Sequence, residues 1–151
     1  GVVLLIDKSR SMASEQKIES AREAALISIN AIKDEDYIGV IGFDSAPFLI
    51  IRLAKASDVK PIASGRLRNL TASGRTEGLL AAMEQARVDL ANSQTSRRHI
   101  ILLTDGIVSD GSESEYFSKV DRLRASQITL TTVAVGSDAE TTFLQVLARR
   151  G

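Results

Sequence analysis

The sequence predicts an α/β domain of the doubly wound, three-layer kind: a mostly parallel central sheet, one antiparallel edge strand and helices on both faces. Three observations predict it. Apolar runs of strand length, at 2–6, 100–103 and 128–135, alternate with stretches in which apolar residues recur every three or four positions. The first two of these runs stop abruptly on polar oxygen groups, Asp7 in one case and Thr104-Asp105 in the other. Two further runs, 37–43 and 48–53, are separated only by Asp44-Ser45-Ala46-Pro47, which is too short for a crossover and therefore makes an antiparallel hairpin.

Taken in order, Val2-Val3-Leu4-Leu5-Ile6 is a buried strand. After Met12, Ile18, Ala21, Ala25, Ile29 and Ile32 share one helical face, with Ser14 as a cap. Lys33-Asp34-Glu35-Asp36 breaks the pattern before the hairpin, whose first strand carries Gly39 and Gly42 where something packs closely. Residues 57–70 are weakly patterned and read as a short helix and a loop, and 71–75 as another loop. Thr76 opens a helix running to about Ala91, with Leu79, Leu80, Met83, Ala86, Val88 and Leu90 on its apolar side. Arg97 and Arg98 belong to a solvated loop, and His99 is a solvated residue at the start of the 100–103 strand. A Ser-rich loop at 108–114 precedes a helix over 115–125, a β-branched strand at 128–135 and a last helix over 139–150. Right-handed crossovers then favour the strand order 3-2-1-4-5, with the switch point between the first and fourth strands.

Composition bounds what such a domain does. With 151 residues, 44% hydrophobic and 25% charged, the chain fits a single folded domain over 1–151. Lys+Arg and Asp+Glu each total 19, so the basic excess of a nucleic-acid binder is missing. The absence of Cys excludes disulfides, thiolate metal sites and a Cys nucleophile. No apolar stretch approaches the roughly 20 residues of a membrane span. The chain begins without Met and stops directly after a helical pattern, so it is expected to be a piece of a larger protein, with other domains of the parent as neighbours.

Ligands of such sheets bind beyond the carboxyl ends of the strands at the switch point. There the topology brings together Asp7, Ser9 and Ser11 from one loop, Asp105 from the adjacent strand end, and Thr76 on a loop of the same rim. Taken singly, each has a plain reading: Asp-x-Ser-x-Ser as a turn or cap, Asp105-Gly106 as a turn, Thr76 as an N-cap. Their convergence favours a cation site. The set contains two carboxylates, three hydroxyls and no His or Cys, which suits Mg²⁺, Mn²⁺ or Ca²⁺ and disfavours zinc or copper. Asp44 reads as a turn former and Asp110 as a solvated residue.

Asp-x-Ser-x-Ser after the first strand, a Thr at the head of a later helix, and Leu-Leu-Thr-Asp-Gly after the fourth strand resemble the von Willebrand factor type A domain, over nearly the whole chain and in the same order. The resemblance implies a metal-ion-dependent adhesion site, with Ser9, Ser11 and Thr76 as hydroxyl ligands and Asp7 and Asp105 bound directly or through water. It implies a non-enzymatic, divalent-cation-dependent module that recognises an exposed Asp or Glu of a protein partner. The wording is most similar to bacterial members, often parts of membrane-associated proteins. Two departures stand out: Arg10 occupies a position where the family commonly has Gly, and the family fold usually adds a sixth strand after the last helix. Arg10, with Lys8 and Arg75, puts like charge beside the cation, which would either weaken metal binding or, as a basic rim, contact an acidic partner. Two other functions compete with this one. A Mg²⁺-dependent phosphoryl-transfer hydrolase would use Asp7 as nucleophile, although no second acid or general base stands out and no GxxxxGK[ST] occurs. A scaffold domain would serve only assembly within the larger protein.

Overall fold

The computed structural model describes residues 1–151. Its five strands are β1 (Val2–Asp7), β2 (Tyr37–Phe43), β3 (Pro47–Lys55), β4 (Arg98–Thr104) and β5 (Ile128–Ala134). They form one sheet in the order β3-β2-β1-β4-β5. All pairings are parallel except the β2–β3 hairpin, which makes β3 an antiparallel edge. The predicted order and edge strand are therefore what the chain adopts.

The helices are α1 (Lys17–Ala31), α2 (Ala56–Arg68), α3 (Leu79–Ala91), α4 (Glu113–Ala125) and α5 (Thr141–Arg150), with a single 3₁₀ turn at Arg10–Ala13. Because side chains alternate across a strand, β1 feeds two cores. Val3 and Leu5 point to the layer of α3 and α4, where they meet Met83, Leu90, Val120 and Leu123. Leu4 and Ile6 point to the layer of α1 and α2, with Ala25, Ile29, Val59 and Leu67. Burial on both faces explains why β1 is an unbroken apolar run rather than an alternating one. Its register, Leu4 beside Val40 and Ile101, leaves Asp7 as the first group beyond the core.

Several elements differ from expectation for identifiable reasons. The segment read as a short helix and loop is one 13-residue helix, α2, that runs through Pro61. Pro61 is exposed, and Ala56, Val59, Ala63 and Leu67 hold the opposite face in the core. Ser14 does not cap α1 with its side chain; its carbonyl accepts from Lys17 N at 3.0 Å after two left-handed residues, Glu15 and Gln16. Helix α3 starts at Leu79 rather than Thr76, because Glu77 N donates to Asp44 O of the hairpin turn at 3.2 Å. Helix α4 begins at Glu113, ahead of the predicted 115, behind a reciprocal Ser112–Glu115 capping box.

Candidate functional site

Asp7 is the last residue of β1, 1% exposed. Both of its carboxylate oxygens are taken by the protein. Oδ1 accepts from Ser9 N at 2.8 Å, and Oδ2 accepts from the Thr104 hydroxyl at 2.6 Å. Thr104 in turn accepts from Gly106 N at 3.0 Å, so the ends of β1 and β4 are stitched by side chains as well as by the ladder. Burial pushes the Asp7 carboxyl up, the charge of Asp105 adds to this, and the bonds from Thr104 and Ser9 hold it back.

The 3₁₀ turn after β1 brings Ser9 and Ser11 together, their hydroxyl oxygens 3.1 Å apart. Ser9 is fully buried and Ser11 half-buried. Asp105 is fully buried beside Asp7 at the end of β4; its Oδ1 accepts from Ile107 N at 3.1 Å and its Oδ2 from Lys17 Nζ at 3.2 Å. The structure thus brings Asp7, Ser9, Ser11 and Asp105 to one place at the switch point.

Thr76 arrives by a different route. Its loop is tied to the first one by Ser73 N donating to Lys8 O at 2.6 Å and Arg10 N to Gly74 O at 3.3 Å. Gly74 takes a φ of +79° with a Cβ position that would sit 2.7 Å from the Asp44 carboxylate, so the loop can run there only as glycine. The Thr76 hydroxyl meets the Ser109 hydroxyl at 2.9 Å, not Ser9 or Ser11. Thr76, Ser109, Arg10, Gly74 and Arg75 line a shallow pocket of about 510 Å³ beside the carboxylates.

The three basic residues of the predicted rim are placed unequally. Arg10 is exposed and lines the pocket mouth. Arg75 is 76% exposed and reaches Glu77 at 2.7 Å. Lys8 is turned inward: it pairs with Asp44 at 2.7 Å, donates to Ser73 Oγ at 2.5 Å and lies 5.4 Å from the centre of the Phe48 ring. Burial pushes the Asp44 carboxyl up, but the bond and charge of Lys8 together with the backbone N–H groups of Ala46 and Ser45 bring it below its usual value, so Asp44 does more than form a turn.

Sequence reasoning missed five residues here. Thr104 stood next to Asp105 in the motif without a role. Lys17 is 1% exposed and bridges Asp105 to Asp138, whose Oδ1 lies 2.6 Å from the ammonium. Its signal was present: Lys17 shares a helical stripe, four residues apart each time, with the buried Ala21, Ala25 and Ile29. Ser109 left no signal. Asp110 was expected to be solvated, yet it accepts from Leu80 N at 2.9 Å and from the Tyr116 hydroxyl, so it caps α3 from the next loop. Likewise Arg98 is part of β4 rather than a loop, and His99 Nδ1 meets Thr129 Oγ1 at 2.6 Å.

The donor set has a definite chemistry. No three or more His, Cys, Asp or Glu side chains gather anywhere in the structure to form a carboxylate-rich cage. What converges is mixed: the neutral hydroxyls of buried Ser9 and half-buried Ser11 and Thr76, beside two buried carboxylates whose oxygens already accept hydrogen bonds. Hard oxygens of this kind fit a magnesium-like cation that keeps part of its water.

Comparison with known proteins agrees with the fold. The family model described as the von Willebrand factor type A domain matches residues 1–151. The bovine calcium-activated chloride channel regulator 1 is 31% identical over 144 residues, covering 91% of this chain and 15% of that protein. The chain spans 15% to 34% of the length of the curated relatives it matches. Among solved structures, a von Willebrand factor type A protein from Catenulispora acidiphila superposes with a TM-score of 0.87 at 22% identity, over 99% of this chain and 36% of that one. An aerotolerance-related membrane protein from Bacteroides fragilis gives 0.77 at 18%, over 99% and 87%. The manganese-loaded TRAP protein of Plasmodium vivax gives 0.77 at 20%, over 98% and 61%. At these identities the structural likeness speaks of the fold.

Proposed function

Since the chain belongs to the von Willebrand factor type A family, we propose that this domain is a divalent-cation-dependent interaction module that takes up an exposed Asp or Glu of a protein partner. The single observation that carries the reading is the division of labour at the switch point. The carboxylates of Asp7 and Asp105 are buried and hydrogen-bonded on both oxygens, whereas the hydroxyls of Ser9 and Ser11 meet each other and that of Thr76 meets Ser109, neutral oxygens that keep acceptor capacity for a ligand. Ser9, Ser11 and Thr76 would hold Mg²⁺ or Mn²⁺ directly, with Asp7 and Asp105 behind them supplying charge. The metal-loaded TRAP neighbour supports a cation at such a fold.

When bound, the cation supplies a Lewis-acidic position that an outside carboxylate can complete. Everything else is done by the chain. Thr104 and Ser9 N hold Asp7 in one orientation, the 3₁₀ turn presents two hydroxyls on one side, and the Gly74 loop sets Thr76 at the mouth. Arg10 and Arg75 provide a basic rim for an acidic loop, Lys8 being engaged by Asp44. The hydrolase alternative is less well supported: a nucleophilic Asp7 would need a free oxygen, and both of its oxygens accept hydrogen bonds in a buried position. The membrane-protein neighbour and the relatives' greater length favour a domain within a larger, membrane-associated bacterial protein.

A thermal melt in Mg²⁺, Mn²⁺, Ca²⁺ or chelator tests the metal, with Asp7→Ala alongside. A cation at a hundredfold its Kd adds about 2.7 kcal/mol, a rise of roughly 5–10 °C for a domain of this size. Cation-dependent retention on an Asp-bearing peptide column, lost with chelator, tests the partner. A melt indifferent to every cation refutes the proposal.

A further inference from the structure

Lys17 breaks two local rules at once. It is the first residue of α1, where a cation opposes the helix dipole. Its side chain is also 1% exposed, although taking an ammonium out of water is costly. Two carboxylates offset this, but unequally. Asp138 is 52% exposed and water can serve its charge as well as Lys17 does. Asp105 is fully buried, and Lys17 is the one cation it touches.

The surrounding backbone is shaped to the lysine. Gly136 adopts a φ of +95°, and a Cβ there would lie 2.4 Å from Lys17 Cε. Next to it, Glu15 accepts from Ser137 N and Oγ at 3.2 and 2.8 Å, fastening the loop before α5 over the start of α1. The aliphatic stem of Lys17 thus packs against Gly136, with the ammonium held between Asp105 and Asp138. The exposed Arg10 and Arg75 act through water, and Lys8 is paired with Asp44.

We infer that Lys17 is the fixed internal counter-cation of the hydroxyl–carboxylate site, a positioning residue that sets how much negative charge the site offers a divalent ion. The inference rests on the function proposed above. Asp7 and Asp105 contribute two negative charges and Lys17 returns one. A divalent ion among them is left one positive charge in excess, which an incoming carboxylate neutralises. Without Lys17 the charges cancel: the ion binds more tightly, and its pull on an outside carboxylate falls. Lys17 thus lowers affinity for the metal and raises affinity for the partner's acid.

The test titrates the full chain with Mn²⁺ alone, reading Kd by calorimetry, and then adds acetate while following water relaxation by the bound Mn²⁺. Circular dichroism reports folding. Lys17→Met is expected to bind Mn²⁺ about tenfold more tightly and to lose the acetate response. Lys17→Arg, which keeps the charge, should behave as wild type. Asp138→Asn leaves the whole ammonium charge to Asp105 and should weaken Mn²⁺ binding, so it carries the test by itself if Lys17→Met does not fold. Unchanged or weaker Mn²⁺ binding by folded Lys17→Met, or unchanged or tighter binding by Asp138→Asn, overturns the inference. A wild type silent to Mn²⁺ overturns the proposed function instead. In that event, Mn²⁺ binding gained by Lys17→Met still supports the charge assignment, and silence of both overturns the two together.

Discussion

The two sides of the site are built in opposite ways. On the β1 side, Asp7 is locked by Thr104 and Ser9, and Asp105 by Lys17 and Ile107, with scarcely any contact with water. On the other side, Thr76 sits on a loop hung from backbone bonds to Lys8 and Arg10, and its hydroxyl meets only the Ser109 hydroxyl at the edge of an open pocket. Groups that carry charge are fixed by the core; the hydroxyl best placed to change partners is held by a weak, neutral, exposed bond. Buried charge tolerates no imprecision, whereas a neutral hydroxyl in water costs little to move.

Substitutions can break or sharpen that contrast. The largest effect is expected from Asp7→Ala. It strands the Thr104 hydroxyl and Ser9 N–H, lowering stability in chelator by about 1–3 kcal/mol, and it removes the whole cation response of roughly 3 kcal/mol. Paired urea melts with and without Mg²⁺ measure both. Thr104→Val keeps the charge but removes its fastening. It should cost about 1–2 kcal/mol and weaken, not abolish, the Mg²⁺ effect. Asp110→Ala probes the scaffold under the open side: loss of the α3 cap and of the Tyr116 partner should cost about 1 kcal/mol and leave Mn²⁺ affinity as it was. Thr76→Ala is the sharpest comparison, because the apoprotein should stay within about 0.5 kcal/mol of wild type while Mn²⁺ affinity falls. Thr76→Ala destabilising the chelated protein as much as Asp7→Ala would erase the distinction.

A last effect, indifferent to the cation, is a control away from the site. Arg87 and Lys119 hold the Glu84 carboxyl down to about 2, below its usual 4.5. A depressed carboxyl contributes stability above its unfolded value and loses it as pH falls from about 4.5 to about 2. Glu84 is 36% exposed, so solvent screening leaves about 1 kcal/mol of this. Glu84→Gln should flatten the acid limb of the stability curve by that amount, equally with and without Mg²⁺.

The closed side was the more legible in sequence. An unbroken apolar run ending in Asp7 and a second ending in Thr104-Asp105 specify two central parallel strands, and their adjacency follows from crossover handedness. Ser9 and Ser11 came with the same run. The open side was harder to read. Helix α3 looked as if it began at Thr76 because Thr favours N-caps, but the hairpin turn claims Glu77 N and distant Asp110 does the capping. Lys17 and Asp138 escaped notice because each resembles a surface residue until a partner more than a hundred positions away is known. Inward rotation of Lys8 depended on Asp44 in the same way. Local pattern gives strands and motifs; pairings between charged side chains across the sheet come only with the fold.

The bond from Thr104 to Asp7 spans 97 positions. A ribosome adding roughly 5–20 residues per second needs roughly 5–20 s to deliver the second partner after the first. Throughout that interval Val2 to Ile6 have no β4 beside them, and parallel pairing over such a separation is intrinsically slow. The segment that carries the motif is therefore made well before its β4 neighbour. Hydrogen–deuterium pulse labelling during refolding should find the β1 amides that bond to β4 protected no earlier than those of β4, which makes the appearance of cation binding a clock for the docking of these two strands.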